Sequence, residues 1–151
     1  MVGDWDEAQA AALRLLARRE HSARELRRKL LGKGHPEGPI DEIPARLQEE
    51  RLLDDARFAG ALVSSRAGRG QGPLRVRADL QERGVAEGLV EQALAEAECD
   101  WWALAVEVRR KRFGPAPPAD YRERARQARF LQYRGFTSEQ IRHALGDDGS
   151  E

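Results

Sequence analysis

The chain has 151 residues, and its 26 basic and 26 acidic side chains give a formal net charge of zero at pH 7. With 34% charged and 40% hydrophobic residues, it has the composition of a soluble, helix-rich globular protein. The longest apolar run, WWALAV at 101–106, is much shorter than the roughly 20 residues that span a bilayer. The acidic start MVGDWDEAQA does not resemble a secretory signal, and a single cysteine, Cys99, excludes an intramolecular disulfide. These features predict a cytoplasmic protein without a membrane span.

Apolar spacing and helix-end signals predict nine helices, in chain order over residues 4–19, 22–33, 40–51, 54–67, 73–83, 86–97, 100–113, 120–134 and 138–146. Capping boxes support four of the starts: Asp4 with Glu7, Ser22 with Glu25, Asp120 with Glu123, and Thr137 with Gln140. Pro39 and Pro73 fit the first turn of a helix. No alternating pattern predicts a strand, so the predicted fold class is all-α.

One stretch of the sequence recurs. LQERGVAEGLVEQAL at 80–94 returns as LQYRGFTSEQIRHAL at 131–145, and both copies place a leucine, a cation and a glycine at the same spacing. A glycine after the last turn, here Gly84 or Gly135, adopts the left-handed conformation that ends many helices. A third copy, with Gly34, follows the same spacing and precedes a loop with an insertion. The unit is therefore a helix, a glycine turn and a second helix.

A further match precedes each turn. DWDEAQA from Asp4, DDARFAG from Asp54 and DWWALAV from Asp100 each begin with an aspartate suited to an N-cap. The chain is therefore predicted to hold three tandem three-helix repeats, at 4–53, 54–99 and 100–146, followed by a tail at 147–151. We expect an extended, curved array whose core lies mainly between neighbouring repeats.

The charges are sorted into blocks that follow the repeat. Residues 14–33, 57–77 and 109–134 hold eight, five and nine cations, whereas 37–55 and 79–100 hold seven acids each. One interpretation is that acidic and basic helices neutralise each other within the array. The other is that each repeat offers a basic ridge, which fits a polyanion or an acidic protein groove. Zero net charge disfavours tight, purely electrostatic DNA binding and favours a mixed surface with a protein partner.

Signals for chemistry are nearly absent. His21, His35 and His143 are scattered without metal-ligand spacing, and we interpret them as helix-end or surface residues. No nucleophile elbow, P-loop or dinucleotide fingerprint occurs. We therefore expect no catalytic residue, no metal, no cofactor and no small-molecule substrate. Adjacent Trp101 and Trp102 point about 100° apart on a helix, so we predict that Trp101 lies in the core and that Trp102 is a candidate exposed anchor.

Four segments resemble the bacterial RecX family of regulatory proteins: ALRLLARREHSARELRRKLLGKG from residue 12, RLLDDARFAGALVSSR, GQGPLRVRADLQERGV and RFLQYRGFTSEQIRHAL. The resemblance covers about residues 5–146 and is weakest at the loop HPEGP and the acidic N-terminus. It implies three tandem three-helix units without catalytic residues. It also implies a non-enzymatic modulator of the RecA recombinase in recombination and repair, one that binds in the groove of the RecA filament on single-stranded DNA. There it would suppress filament growth, ATP hydrolysis, strand exchange and the co-protease activity of the SOS response.

From the resemblance and the basic ridges together, we predict contacts to the RecA filament or to DNA phosphate. The candidates lie on the second helix of each repeat, with one tryptophan added: Arg24, Arg27, Arg28, Arg75, Arg77, Arg126, Arg129 and Trp102. Two alternatives stay open. The glycine turn between helices resembles a DNA-binding helix-turn-helix acting on single- or double-stranded DNA without RecA, although residues 40–51 and 86–97 are acid-rich. The second alternative is a structural adaptor for another assembly.

Overall fold

The computed structural model describes residues 3–146, which hold nine α-helices and no strand. In chain order they are α1 (Asp4–Arg18), α2 (Ala23–Gly32), α3 (Glu37–Glu49), α4 (Asp55–Gly68), α5 (Pro73–Glu82), α6 (Glu87–Ala95), α7 (Trp101–Phe113), α8 (Tyr121–Arg134) and α9 (Ser138–Ala144). The all-α prediction is confirmed, and every predicted helix end lies within three residues of the observed one. The predicted tail at 147–151 lies outside the described residues. None of the described helices is long and apolar enough to cross a membrane.

Side-chain caps account for most of the helix starts. The capping boxes of Ser22 and Thr137 are both present, and the Asp120 side chain accepts a hydrogen bond from the third residue of α8. The prediction that Asp4 caps the first helix is wrong. Gly3 is the N-cap there, and Asp4 is the first helical residue, where its charge still suits the positive end of the helix dipole.

Prolines mark two starts. The backbone of α5 begins at Pro73, as predicted. The third helix begins three residues earlier than predicted, because Pro36 is its N-cap, and this leaves Pro39 within the first turn. Pro44 lies inside α3 without breaking it, although it has no N–H to donate to a carbonyl one turn earlier.

The three repeated glycines all adopt the predicted left-handed conformation, with φ of 86° at Gly34, 79° at Gly84 and 100° at Gly135. After each glycine the next backbone N–H bonds back to the repeated leucine. Val85 donates to the carbonyl of Leu80 at 3.1 Å, and equivalent bonds follow the other two glycines at 3.2 and 3.3 Å. This is the Schellman pattern of hydrogen bonds, so the repeated letters encode one kind of helix end.

The fold divides into two compact units, residues Met1–Ala61 with Leu80–Ala93 (unit 1) and Leu62–Asp79 with Leu94–Glu151 (unit 2). In unit 1, ten buried residues between Ala8 and Leu53 form one apolar cluster. In unit 2, seven buried residues between Ala105 and Leu145 form another. Each cluster comes from a single repeat, so the expectation of a core lying mainly between neighbours is wrong for the first and third repeats. Three helices bring enough apolar side chains to close a small core.

In unit 1, the start of α2 packs on the glycine turn that follows α5. The Ser22 hydroxyl, already the cap of α2, donates to the backbone carbonyl of Arg83 at 2.7 Å. The stem of Arg24 lies so close to Gly84 that a Cβ on that glycine would be 2.3 Å from Arg24 Cδ. Only glycine allows this approach.

In unit 2, the start of α5 packs in the same way on the glycine turn that follows α8. The backbone N–H groups of Gly72 and Leu74 donate to the carbonyls of Arg134 and Gly135 at 2.7 and 2.9 Å. A Cβ on Gly72 would be 2.5 Å from the carbonyl carbon of Gly135. We call these two contacts the α2–turn joint and the α5–turn joint. The remaining copy of the turn differs, because nothing lies within 4 Å of a Cβ on Gly34.

Candidate partner-binding surface

The seven predicted arginines all lie on the second helix of a repeat, as expected. Three are on α2 (Arg24, Arg27 and Arg28), two on α5 (Arg75 and Arg77) and two on α8 (Arg126 and Arg129). Those on α2 belong to unit 1 and the others to unit 2, together with Trp102 on α7. Six of the seven arginines are exposed.

On α2, Arg24, Arg27 and Arg28 share one exposed face, since residues three and four apart are neighbours on a helix. The opposite face buries Leu26 and Leu30 in the core of unit 1. Arg27 is held by Asp41 of α3, with Nε 2.9 Å from Oδ1. Arg24 crosses the glycine turn with its stem. Arg28 is therefore the α2 arginine whose charge is most available to a partner.

On α5 the two predicted arginines do not form one ridge. They are two residues apart, a spacing that places side chains on nearly opposite sides of a helix. Arg75 is exposed, and its guanidinium carbon lies 5.5 Å from the ring centroid of Tyr133 on α8. Arg77 is half-buried. Arg75 thus joins the surface of α8.

The exposed face of α8 carries Arg126, Arg129 and Tyr133 at helical spacings of three and four residues. Arg126 bonds to Glu123 at 2.7 Å. Hydrogen bonds from Gln127 and Arg126 lower the pKa of the Glu123 carboxyl, since they stabilise its ionised form. Arg129 is exposed, and Tyr133 has 78% of its surface accessible. Arg126, Arg129 and Tyr133, with Arg75 over the tyrosine ring, therefore form one cationic and aromatic surface of unit 2.

The tandem tryptophans differ in exposure. Trp102 is 41% exposed and meets the His143 ring edge-on, with 5.4 Å between centroids. Its placement as an exposed side chain is confirmed, although it already contacts the ring of His143. Trp101 is half-buried rather than fully enclosed, which only partly meets the prediction that it lies in the core.

Sequence reasoning missed Tyr133, although its signal was available four residues after Arg129. It also counted Arg109 among the surface cations, whereas that residue is 4% exposed and donates from Nε to the side-chain oxygen of Gln127 at 3.0 Å. His21 is at a helix end, as expected, but is buried rather than at the surface. Among residues 3–146 no group of three or more His, Cys, Asp or Glu side chains is placed to hold a metal ion.

The helix-turn-helix alternative would use α9 as the recognition helix of the third repeat. That helix has seven residues, and three of them, Gln140, Ile141 and Ala144, are buried. Its exposed side chains include Glu139 as well as Arg142. Two helical turns with a single arginine offer little for reading a major groove, which needs several side chains at base edges. The exposed arginines on the second helices are the stronger candidates for partner contact. We call them the arginine face of each unit: Arg24, Arg27 and Arg28 in unit 1, and Arg75, Arg126 and Arg129 in unit 2.

Fold and surface together define a helical-repeat protein of three-helix domains, whose exposed second helices are rich in arginine. Family models for the first, second and third three-helix domains of RecX match residues 8–47, 54–94 and 98–145. The chain therefore belongs to the RecX family, whose curated members bear the name regulatory protein.

Relatives and solved structures agree with this assignment. A RecX from Halorhodospira halophila is 54% identical over 134 residues, covering 89% of this chain and 83% of the relative. One from Pseudomonas savastanoi is 45% identical over 140 residues, covering 93% and 90%. The crystal structure of RecX from Lactobacillus salivarius has a TM-score of 0.79 at 22% identity and covers 96% of each chain. At that identity the structural likeness concerns the fold.

Proposed function

We propose that this protein is a non-enzymatic regulator of RecA. It binds in the groove of the RecA filament on single-stranded DNA and suppresses filament extension, ATP hydrolysis, strand exchange and SOS co-protease activity. Family membership supports the regulatory role, and the RecX resemblance points to RecA as its target. We place its activity in the cytoplasm, where RecA filaments form.

The observation that carries the proposal is the exposed arginine face of each unit. Arg28 in unit 1 and Arg75 and Arg129 in unit 2 are exposed and have no acidic partner among the described residues. Arginine binds carboxylate and phosphate with two parallel hydrogen bonds, so such a face suits either an acidic protein groove or the DNA backbone within it.

The test is the DNA-dependent ATPase of preformed RecA filaments, measured with substoichiometric amounts of this protein. Wild-type protein is expected to slow hydrolysis. The triple variant Arg28→Glu, Arg75→Glu, Arg129→Glu should lose at least about tenfold in inhibitory potency, because three charge-assisted contacts become repulsive. A matched control reverses three exposed arginines on other helices: Arg14, Arg18 and Arg142.

Unchanged inhibition by the first triple variant, in a protein that melts like wild type, would show that the arginine face is not the contact. A wild-type protein that leaves RecA untouched and binds bare DNA tightly would favour the helix-turn-helix alternative. No effect on RecA and no DNA binding would favour a structural adaptor.

A further inference from the structure

A second cationic feature of unit 2 is formed by residues other than the predicted arginines. A cavity of about 480 Å³ opens where the end of α4 and the following loop meet α7 and α8. Its polar wall carries four cations, Arg69, Lys111, Arg112 and Arg134, and one acid, Glu107. None of these four cations was among the predicted contact residues.

The charge balance of the cavity favours an anion. Three helix C-termini, those of α4, α7 and α8, lie at its wall and contribute about half a negative charge each. Glu107 adds one full negative charge. The four cations outweigh these, which leaves an excess of about one and a half positive charges in a concave site. Arg69, Lys111 and Arg112 are exposed and have no ion pair among the described residues, so their charges are free for a ligand.

The cavity also has an apolar and partly aromatic part of its lining, formed by Leu104, Val108 and Phe130, which we call the apolar wall. The guanidinium of Arg134 is fixed above Phe130, 5.2 Å from the ring centroid, and donates to the backbone carbonyl of Arg69 at 3.1 Å. Arg112 lies 5.6 Å from the same ring. Cations and a flat apolar surface therefore face one space.

We propose that this cavity binds a nucleotide unit, with its phosphate on Arg69, Lys111 and Arg112 and its base against the apolar wall. Arginine forks match phosphate oxygens, and bases pack on aromatic rings and guanidinium planes. A cavity of this volume is within the range of small-ligand sites, large enough for one unstacked nucleotide. Two other anionic ligands fit the cavity less well. The bases of a duplex are stacked inside the helix and cannot reach the apolar wall, and an acidic side chain is too small to cover it. The bound nucleotide unit belongs either to a nucleic-acid single strand or to a free nucleotide.

The inference goes beyond the proposed function, because it assigns a nucleotide site to residues outside the predicted contacts, and it can be tested without RecA. The probe is a fluorescein-labelled oligothymidylate of about 20 nucleotides, measured by anisotropy at low salt, with ATP, a duplex of the same length and polyglutamate as competitors. Expected results are competition by unlabelled single strand or by ATP, and weaker competition by duplex and polyglutamate. Competition by ATP at single-strand strength identifies free nucleotide as the source.

The pocket variant is Arg69→Gln, Lys111→Gln, Arg112→Gln, and its matched control is Arg14→Gln, Arg18→Gln, Arg142→Gln. The pocket variant should bind at least about tenfold more weakly, and the control, with the same net charge, should change about twofold or less. Glu107→Gln should bind the probe more tightly, by about threefold, whereas Glu42→Gln on α3 should not. The Glu107 variant keeps the test valid if the triple variant is unstable, because it predicts a gain.

Equal losses in the pocket variant and its control, or competition by polyglutamate as strong as by single strand, would overturn the proposal. So would equal affinity for duplex. Inhibition of the RecA ATPase is measured on the same proteins. Loss of ATPase inhibition with intact oligonucleotide binding contradicts only the RecA proposal. Loss of oligonucleotide binding with intact ATPase inhibition contradicts only the cavity site.

Discussion

At the scale of single residues, protonation of the buried side chain of His21 is expected to destabilise the fold. Its Nδ1 lies 3.0 Å from the carbonyl oxygen of Arg19, and its Nε2 lies 3.0 Å from Nζ of Lys29. Lysine has only donors, so Nε2 accepts and Nδ1 carries the proton. Burial, supported by the neighbouring cations Arg19 and Lys29, lowers the pKa of His21 below its ordinary value of 6.5, despite the opposing hydrogen bond to the carbonyl.

This arrangement predicts a loss of stability in mild acid. Because the folded pKa lies below the unfolded one, the stabilisation is complete above about pH 6.5 and is lost as pH falls through the folded pKa. Urea unfolding at pH 7 and pH 5 should show a larger drop in the free energy of unfolding for wild type than for His21→Gln. Burial raises the pKa of Glu25, but Arg19 and, less strongly, the charge of His21 lower it overall, so this carboxylate also loses stability in acid. Most of that loss comes from Arg19 and occurs in both proteins, and the part that comes from His21 adds to the larger drop expected for wild type. Parallel drops would contradict the assignment.

At the scale of elements, one helix end serves two purposes. The glycine after α5 or α8 closes its helix with a Schellman turn and also receives the start of an earlier second helix. At Gly84 the neighbour is the flexible side chain of Arg24, whereas at Gly135 it is the backbone of Arg75, 2.7 Å from an added Cβ. At Gly34 there is no neighbour within 4 Å. Three glycines with similar φ therefore differ in how closely neighbouring residues approach them.

Alanine at each of these positions separates backbone strain from the joints. Gly34→Ala should lower the free energy of unfolding by about 1 kcal/mol, from left-handed strain alone. Gly84→Ala should cost about 2 kcal/mol, since the arginine side chain can move, and Gly135→Ala about 3 kcal/mol or more, since backbone must shift. Urea unfolding measures the series. Gly60→Ala, mid-helix in α4 with open space around it, is the control and should stabilise by about 0.5–1 kcal/mol.

Equal costs at Gly34, Gly84 and Gly135 would mean that the glycines are needed only for their φ angles. In that case the α2–turn joint and the α5–turn joint would contribute little to stability. The left-handed conformation alone predicts the same cost at all three glycines. The predicted order of costs arises from the contacts of each joint.

At the scale of the whole molecule, the sequence predicted best those features that depend on residues close together in the chain. Helix ends depend on caps and glycines within a few residues, as at Ser22 and Gly135, and those positions were predictable. The burial of Arg109 was not predictable, because it donates one hydrogen bond to Gln127, 18 residues away, and another to the backbone carbonyl of Ala116 in the following loop. The cationic cavity could not be predicted either, because Arg69 and Lys111 are far apart in the sequence and line one cavity only after folding. The arginines on the second helices were found because charge blocks follow the repeat, but their pairing, such as that of Arg27 with Asp41, is tertiary.

The boundaries of the compact units lead to a prediction about fragments. Unit 2 contains residues 62–79 as well as the third repeat, and the α5–turn joint provides two backbone hydrogen bonds to Arg134 and Gly135. A fragment of residues 94–146 keeps the apolar cluster of the third repeat and leaves the carbonyls of that turn without those donors. A fragment of residues 62–146 keeps both. The longer fragment should therefore be more stable by about 2 kcal/mol, with each net hydrogen bond contributing about 1 kcal/mol.

Urea unfolding compares the two fragments, and amide exchange at Phe136 reports on the turn itself. Gly72→Ala in the longer fragment provides the control, since its Cβ would clash with Gly135 and open the joint without changing chain length. That variant should fall most of the way to the stability of the short fragment. If the two fragments unfold alike, the third repeat is autonomous and the repeat, rather than the compact unit, is the cooperative unit of this fold.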